Sequence, residues 1–182
     1  MTVISRLLTA LAVAFIIDGL TKFWVEQALV PYQPVPILGE WFRLTLGYNT
    51  GVAFGMLSNG GNLPMILTGV IILIIGVWFM RGLASGQFAP IAAWPVGLLL
   101  GGAIGNFVDR FFDGRVTDFL DAGIGATRWP TFNLADTFIL TGVGILMLLS
   151  FFSEEPQPSE PPPGGPSTQN EAFDQKQITD TL

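Results

Sequence analysis

Two aspartates raise the question of what this chain does. Asp118 and Asp136 lie eighteen positions apart in the segment RVTDFLDAGIGATRWPTFNLADTF, and both have largely apolar neighbours. Asp136 is followed by a run that carries no charge from Thr137 to Ser153. Moving an ionised aspartate into hydrocarbon costs at least about 2.5–3.5 kcal/mol. Carboxylates at the edge of such a run are therefore candidates for catalysis or for ion transfer.

The composition limits the chemistry that these carboxylates could share. The 182 residues include no cysteine and no histidine, which excludes disulfides, thiolate nucleophiles, Cys/His zinc sites and a Ser-His-Asp triad. Two close carboxyls can share one proton and divide the acid and base roles of a hydrolase. A second hypothesis is a Ser-Lys peptidase in which Lys22 activates Ser58. A third is a small proton or cation transporter that uses Asp18, Asp109 and Asp136.

Long apolar stretches indicate a membrane protein. Half of the residues are hydrophobic and 12% are charged, about half the charged fraction of an average soluble domain. Spans of about 20 residues, the length that hydrocarbon requires, are predicted at 62–81, 88–109 and 132–152. A first span is predicted at about 5–25, because its apolar run has no signal-peptide cleavage site and continues to the interfacial anchor Trp24.

Two other segments differ from the spans. Residues 34–57 are rich in aromatic and β-branched residues and contain an NTG turn signal, which predicts short strands in a small sheet on the membrane surface. Residues 153–182 hold six acids and one lysine, a net charge of −5, together with many prolines. This composition predicts a disordered tail. The predicted fold class is an α-helical integral membrane protein with four transmembrane helices and a small β-sheet, formed by residues 1–152.

Polar residues gather on one side of the four-span arrangement, which places segments 25–62 and 109–128 on one side and both termini on the other. Asp118 is expected in the loop 109–128. The remaining members end or begin helices or lie in the β segment: Asp18, Lys22, Asn49, Asn106, Asp109, Arg110, Asn133 and Asp136. Singly, each has a structural explanation, such as a helix cap or an i, i+4 ion pair. Together they favour a site at one surface, whereas a transporter would spread polar groups through the membrane depth.

The order of the motifs resembles a known family. DGLTK, NTGVAFG, GGAIGNFVDR, VTDF and FNLAD occur in this order within residues 10–150, and they resemble the lipoprotein signal peptidases, or signal peptidase II. The last three motifs at these spacings are the specific part. The resemblance implies a four-helix membrane aspartic peptidase that cleaves prolipoproteins before a diacylglyceryl-modified cysteine.

The resemblance also implies an orientation. Arginine counts lean against a cytoplasmic N-terminus, because two arginines lie on the terminus side and four on the other: Arg6 and Arg81 against Arg43, Arg110, Arg115 and Arg128. The family instead implies the bacterial inner membrane, cytoplasmic termini and a site near the extracytoplasmic surface. The implied state is a monomer, and the implied partners are lipid-modified prolipoproteins, membrane lipids and cyclic peptide inhibitors of the globomycin type.

The implied site follows from the motifs. The catalytic pair falls on Asp118 of VTDF and Asp136 of FNLAD. The supporting positions are Asp18, Lys22, Asn49, Gly51, Asn106, Asp109, Arg110, Asn133 and Ala135. Thr117 stands where the family has a hydrophobic residue, a departure with no expected consequence for the pair. No metal, cofactor or nucleic acid is expected.

Overall fold

Four helices and four strands make up the part of the chain that the structure describes. The structure is a computed structural model, and it describes residues 1–51, 57 and 60–152. Two segments named above lie outside the described residues: the tail 153–182, which was predicted to be disordered, and Ser58 of the Ser-Lys hypothesis. The elements are α1 (Val3–Ala28), β1 (Val35–Leu38), β2 (Phe42–Asn49), α2 (Leu63–Ala84), a 3₁₀ turn (Pro90–Ala92), α3 (Ala93–Asp113), β3 (Val116–Ile124), β4 (Thr127–Arg128) and α4 (Leu134–Phe152).

The helices are those of a membrane protein. Each is long and apolar enough to cross a bilayer. The shortest, α4, has 19 residues, which gives a length of about 28 Å at 1.5 Å per residue. Helix α1 continues without a break through Asp18 and Lys22. The predicted fold class, a helical membrane protein with four long apolar helices and a small sheet, is confirmed.

Helix α3 lies at the centre of the bundle and is mostly buried, with α1, α2 and α4 packed around it. Its glycines allow close contact with α1. A methyl group added at Gly97 would come within 2.5 Å of the Leu7 carbonyl oxygen, and one at Gly101 within 2.5 Å of the Leu11 carbonyl oxygen. Small residues at such positions let transmembrane helices pack backbone to backbone. Helix α2 packs mainly on α3, and most of its surface is exposed.

The sheet is antiparallel with the order β1-β2-β3-β4. Only its first two strands were predicted; β3 and β4 form from the segment 109–128, which was expected to be a loop. Asp118 therefore lies on a strand, because β3 pairs with β2 along its length. A cluster of Val25, Leu46 and Phe119 packs the sheet against the end of α1.

Candidate active site

Five elements bring the predicted residues together at one end of the bundle. Helix α1 carries Asp18 and Lys22 in its second half, and α3 carries Asn106, Asp109 and Arg110 near its end. Strand β3 carries Asp118, α4 begins beside Asn133, and β2 ends at Asn49. Phe132 links two of these elements, because it exchanges backbone hydrogen bonds with Leu120 of β3. The chain is thereby led into α4 directly beside Asp118.

The first turn of α4 is fixed by three side-chain hydrogen bonds. The Asp136 N–H donates to Asn133 Oδ1 at 3.0 Å, and the Asn133 N–H donates to Asp136 Oδ2 at 3.3 Å. This reciprocal pair is a capping box. The Ala135 N–H donates to Asp18 Oδ1 of α1 at 2.9 Å. Ala135 therefore acts through its backbone, and its buried methyl group leaves room for the neighbouring helices.

Two asparagines connect the aspartates. Asn133 Nδ2 donates to Asp118 Oδ1 at 2.7 Å, and Asn106 Nδ2 donates to Asp136 Oδ1 at 2.8 Å. Asn133 Nδ2 also donates to Asn106 Oδ1 at 3.2 Å. Each amide oxygen accepts from an N–H group, so the orientation of both amides follows from their surroundings. Asp118 and Asp136 are thus held in one network by neutral donors.

Lys22 is buried among acceptors. Its ammonium nitrogen lies 2.7 Å from Asp18 Oδ2 and 2.8 Å from Asp109 Oδ2, and it donates to Asn106 Oδ1 at 2.9 Å. An ammonium group has three donors and no acceptor, and here three acceptors surround it. Lys22 is therefore a charged structural centre that orients Asn106. This arrangement does not suit it to act as the base of a Ser-Lys peptidase.

The surroundings of Asp118 favour its protonated form. The residue is 3% exposed. Burial, and next the charge of Asp136, raise the pKa of Asp118 from 3.8 to about 7, although hydrogen bonds from Asn133 and Asn49 act in the opposite direction. A buried carboxyl loses hydration when it ionises, and a neighbouring negative charge adds to that penalty. At neutral pH the carboxyl of Asp118 can hold a proton and also release it.

Arg110 holds the end of β2 against α3. Its guanidinium donates to the Gly51 carbonyl oxygen through Nε at 3.2 Å and through a second, shorter bond. It also donates to the Asn106 carbonyl oxygen at 3.0 Å. The Gly51 N–H in turn donates to Asn49 Oδ1 at 2.9 Å. Asn49 is thereby oriented with its amide nitrogen available to Asp118.

All eleven predicted site residues lie in this network or make a backbone contact to it, and the structure adds contacts that the motifs did not reveal. The Thr117 hydroxyl, to which no role was assigned, donates to Glu26 Oε1 at 2.6 Å. Asp121 is buried beside two arginines. The arginines reach Asp121 only through the pairing of β3 with β2 and β4, which leaves no local signal in the sequence. Among the described residues, no group of three or more acidic side chains could hold a metal ion.

Comparison with known proteins identifies the family. A family model described as signal peptidase (SPase) II matches residues 10–152. A lipoprotein signal peptidase of Xylella fastidiosa is 38% identical over 162 residues, covering 83% of this chain and 92% of the relative. One of Mycolicibacterium smegmatis is 42% identical over 153 residues, covering 80% of this chain and 61% of the relative.

A solved structure agrees with these relatives. A bacterial membrane enzyme determined by the in meso method superposes with a TM-score of 0.70 at 27% identity. The match covers 87% of this chain and 96% of that one. The family model covers most of α1, the other three helices and the sheet, and so includes the whole network of aspartates and asparagines. The chain belongs to the signal peptidase II family.

Proposed function

We propose that Asp118 and Asp136 are the catalytic carboxyls with which this signal peptidase II, an aspartic endopeptidase, removes signal peptides from prolipoproteins. One observation carries the assignment. Each carboxyl accepts a hydrogen bond from one of two asparagines that also bind each other, Asn133 for Asp118 and Asn106 for Asp136. Neutral donors hold two acids near each other without neutralising either, so one proton can be shared between them.

The hydrogen bonds suggest which carboxyl starts with the proton. Both oxygens of Asp136 accept from N–H groups, those of the Asn106 side chain and the Asn133 backbone. An ionised carboxylate is the form that accepts at both oxygens, which suits Asp136 to take a proton from water. Asp118, whose pKa is raised to about 7 by burial and by the charge of Asp136, is the group that protonates the scissile carbonyl oxygen.

The reaction then follows the pattern of general acid and base catalysis. Water attacks the carbonyl carbon as Asp136 takes its proton, and Asp118 gives its proton to the carbonyl oxygen, forming a neutral tetrahedral intermediate. The intermediate collapses when the peptide C–N bond breaks. The amine of the modified cysteine leaves with the proton from Asp136, and the hydroxyl proton returns to Asp118. Water is consumed, and the two carboxyls regain their starting states.

The other network members serve as supports in this proposal. Arg110 is bound to the Gly51 and Asn106 carbonyl oxygens, so it holds the site together. Lys22 orients Asn106. Asp18 holds the start of α4 through the Ala135 N–H. We assign the substrate backbone to the dyad of Asp118 and Asp136, where cyclic peptides of the globomycin type would compete with it. Since one chain supplies every member, a monomer suffices.

We place the protein in the bacterial inner membrane, with both termini cytoplasmic and the site near the extracytoplasmic surface. The arginine count points the other way, but the arginines on the site side have partners within the protein. Arg43 and Arg128 pair with Asp121, Arg110 binds backbone carbonyls, and Arg115 lies 3.7 Å from the ring centroid of Tyr48. The orientation rule counts Lys and Arg in loops. We give little weight in that count to arginines that are explained by contacts within the protein.

A cleavage assay tests the assignment. Purified protein in lipid vesicles is incubated with a lipid-modified prolipoprotein, and the released signal peptide is quantified for wild type, Asp118→Asn, Asp136→Asn and the control Asp113→Asn. Asp113 is an exposed acid at the end of α3. Release by wild type and Asp113→Asn alone supports the proposal. Release by either of the other two variants at a rate near that of wild type contradicts it.

A further inference from the structure

A second buried acid lies on β3, outside the dyad network. Asp121 is 4% exposed. Its Oδ2 accepts from Arg43 Nε at 3.0 Å and from the Thr45 hydroxyl at 2.7 Å, and its Oδ1 accepts from Arg128 Nε at 2.8 Å. These donors lie on β2 and β4, the two neighbours of β3. Although burial raises the pKa of Asp121, the hydrogen bonds from Thr45, Arg128 and Arg43 outweigh it and leave the pKa below 3.8, so the carboxylate is ionised at neutral pH.

Thr45 lies where the pairing of β2 with β3 shifts by one residue. Leu44 pairs with Leu120, but Gly47 pairs with Asp118. Two residues of β2, Thr45 and Leu46, therefore oppose the single residue Phe119, which is the arrangement of a β-bulge. Thr45, one of the two bulge residues, supplies the hydroxyl that donates to Asp121.

The bulge decides which face of the sheet Asn49 occupies. Paired residues in antiparallel strands share a face, and faces alternate along each strand. Before the bulge, Arg43 shares the face of Asp121. After it, Asn49 pairs with Val116 and so shares the face of Asp118. A one-residue slip moves every side chain to the opposite face, so without the bulge Asn49 would point away from Asp118.

Asn49 is one of the groups that hydrogen-bond Asp118. Its amide oxygen accepts from the Gly51 N–H at 2.9 Å, which leaves the amide nitrogen for the carboxyl. The bulge also places Gly47, which has no side chain, opposite Asp118. Both features, the Asn49 contact and the glycine opposite Asp118, depend on the same register.

We propose that Thr45 and Asp121 form a register lock, in which Asp121 holds the β2 bulge through the Thr45 hydroxyl and so places Asn49 against Asp118. Both are positioning residues for the peptidase reaction, and their role rests on the proposed catalytic role of Asp118. Arg43 and Arg128 both pair with the Asp121 carboxylate and attach the lock to the strands on either side. The lock lies on the opposite face of β3 from Asp118 and acts on it through Asn49.

Kinetic measurements test the coupling. Thr45→Val keeps the side-chain shape and removes the hydroxyl, and Thr45→Ser restores a hydroxyl. A hydrogen bond to a charged group contributes more to stability than a neutral one, and we expect kcat to fall by about tenfold or more when the bond that holds the bulge is lost. We expect that loss for Thr45→Val with KM within twofold of wild type, and recovery in Thr45→Ser. Thr127→Val, an exposed matched change on β4, leaves kcat unchanged.

A double-mutant cycle tests whether Thr45 affects Asp118 through Asn49. Asn49→Ala lowers kcat, and adding Thr45→Val to it lowers kcat no further, because both changes remove the same contact to Asp118. If the two losses multiply, Thr45 does not act through Asn49 and the lock is wrong.

Disulfide trapping reads the register without using activity. The chain has no cysteine, so introduced pairs are unambiguous. Tyr48→Cys with Thr117→Cys joins partners in the bulged register, whereas Tyr48→Cys with Val116→Cys joins the partners that an unbulged strand would have. Thr45→Val should shift cross-linking from the first pair toward the second. Unchanged cross-linking in Thr45→Val contradicts the lock.

The two proposals fail in different ways. An active Asp118→Asn variant would overturn the catalytic assignment and leave the cross-linking result intact. An inactive Asp118→Asn variant, together with wild-type register and kcat in Thr45→Val, would overturn the lock alone.

Discussion

Asn133 and Asp136 exchange hydrogen bonds across the first turn of α4, each accepting from the backbone N–H of the other at 3.0 and 3.3 Å. The same two side chains hold the dyad, because Asn133 also binds Asp118 and Asp136 also accepts from Asn106. Asp136, one of the two proposed catalytic carboxyls, is therefore part of a helix cap. An amide at position 136 can keep the Asn133 bond through its oxygen, so Asp136→Asn should remove the proposed base and retain the start of the helix.

We expect Asp118→Asn and Asp136→Asn each to remove nearly all turnover, because each carboxyl moves a separate proton. The double variant should be little worse than either single one, since residues that act as a unit are not additive. Single-turnover rates on folded, vesicle-inserted protein measure both effects. Activity should also survive a chelator.

Asp113→Asn is the control for charge removal in the same region, and its rate should match wild type. A double variant whose loss equals the product of the two single losses would show that the carboxyls act independently, against the shared-proton mechanism.

Activity should fall as pH rises through about 7. Burial and the charge of Asp136 raise the pKa of Asp118 to about 7, and the proposed mechanism needs its proton. A pH profile of kcat over pH 5–9 should therefore show a descending limb in that region, which belongs to the coupled pair. A flat profile across pH 6–8 would remove Asp118 from the acid role.

The raised pKa of Asp118 also predicts how the stability of the fold depends on pH. A carboxyl whose pKa is higher in the folded state than in the unfolded state stabilises the fold below its unfolded pKa, and that contribution is lost as pH rises through the folded pKa. Asp118→Asn cannot ionise. Its Tm relative to wild type should therefore increase between pH 5 and pH 8, by at least about 2 °C. Thermal unfolding in detergent at the two pH values checks this independently of activity.

Lys22→Met should destabilise the protein strongly. The change leaves Asp18 and Asp109 without the ammonium that lies within 2.8 Å of both. Removing one partner of a buried ion pair typically costs about 3–5 kcal/mol. Adding Asp18→Asn should recover part of the loss, because it removes one of the two unpaired charges. A Lys22→Met variant with wild-type Tm and no activity would instead favour the Ser-Lys mechanism.

The lipid on the substrate should contribute strongly to cleavage. Burial of only about four methylenes in lipid or in an apolar groove is worth roughly 3 kcal/mol, more than a hundredfold in affinity. The same prolipoprotein without its diacylglyceryl group should therefore show a much lower kcat/KM. Comparable values for the two forms would mean that the peptide alone determines recognition.

Truncation after Phe152 should leave insertion and cleavage intact. The residues removed, 153–182, carry six acids, one lysine and many prolines, and the site residues all precede them. Vesicle insertion and kcat/KM of the truncated chain test this. A variant that inserts normally and fails to cleave would assign the tail a role in catalysis.

The sequence predicted the four helices and the set of polar residues that the structure brings together at one end of the bundle, because both leave simple signals. A transmembrane helix requires an uninterrupted apolar run, and polar residues at its ends stand out. The strand that carries Asp118 was missed because β3 is defined by its pairing with β2, whose residues lie 67 to 80 positions earlier in the chain than their partners. The Asp121 ion pairs and the bulge at Thr45 depend on that same pairing, so no local pattern marks them.

The contact between the glycines of α3 and the backbone of α1 has a consequence for how this protein can change over time. At Gly97 and Gly101 any side chain would meet a carbonyl oxygen within 2.5 Å, so substitutions there require a compensating change in α1. Helix α2 is mostly exposed, and at its exposed positions one apolar residue can replace another at little cost. Accepted mutations should therefore accumulate in α2 and be rare along the α1–α3 contact, even though neither stretch contains a proposed catalytic carboxyl.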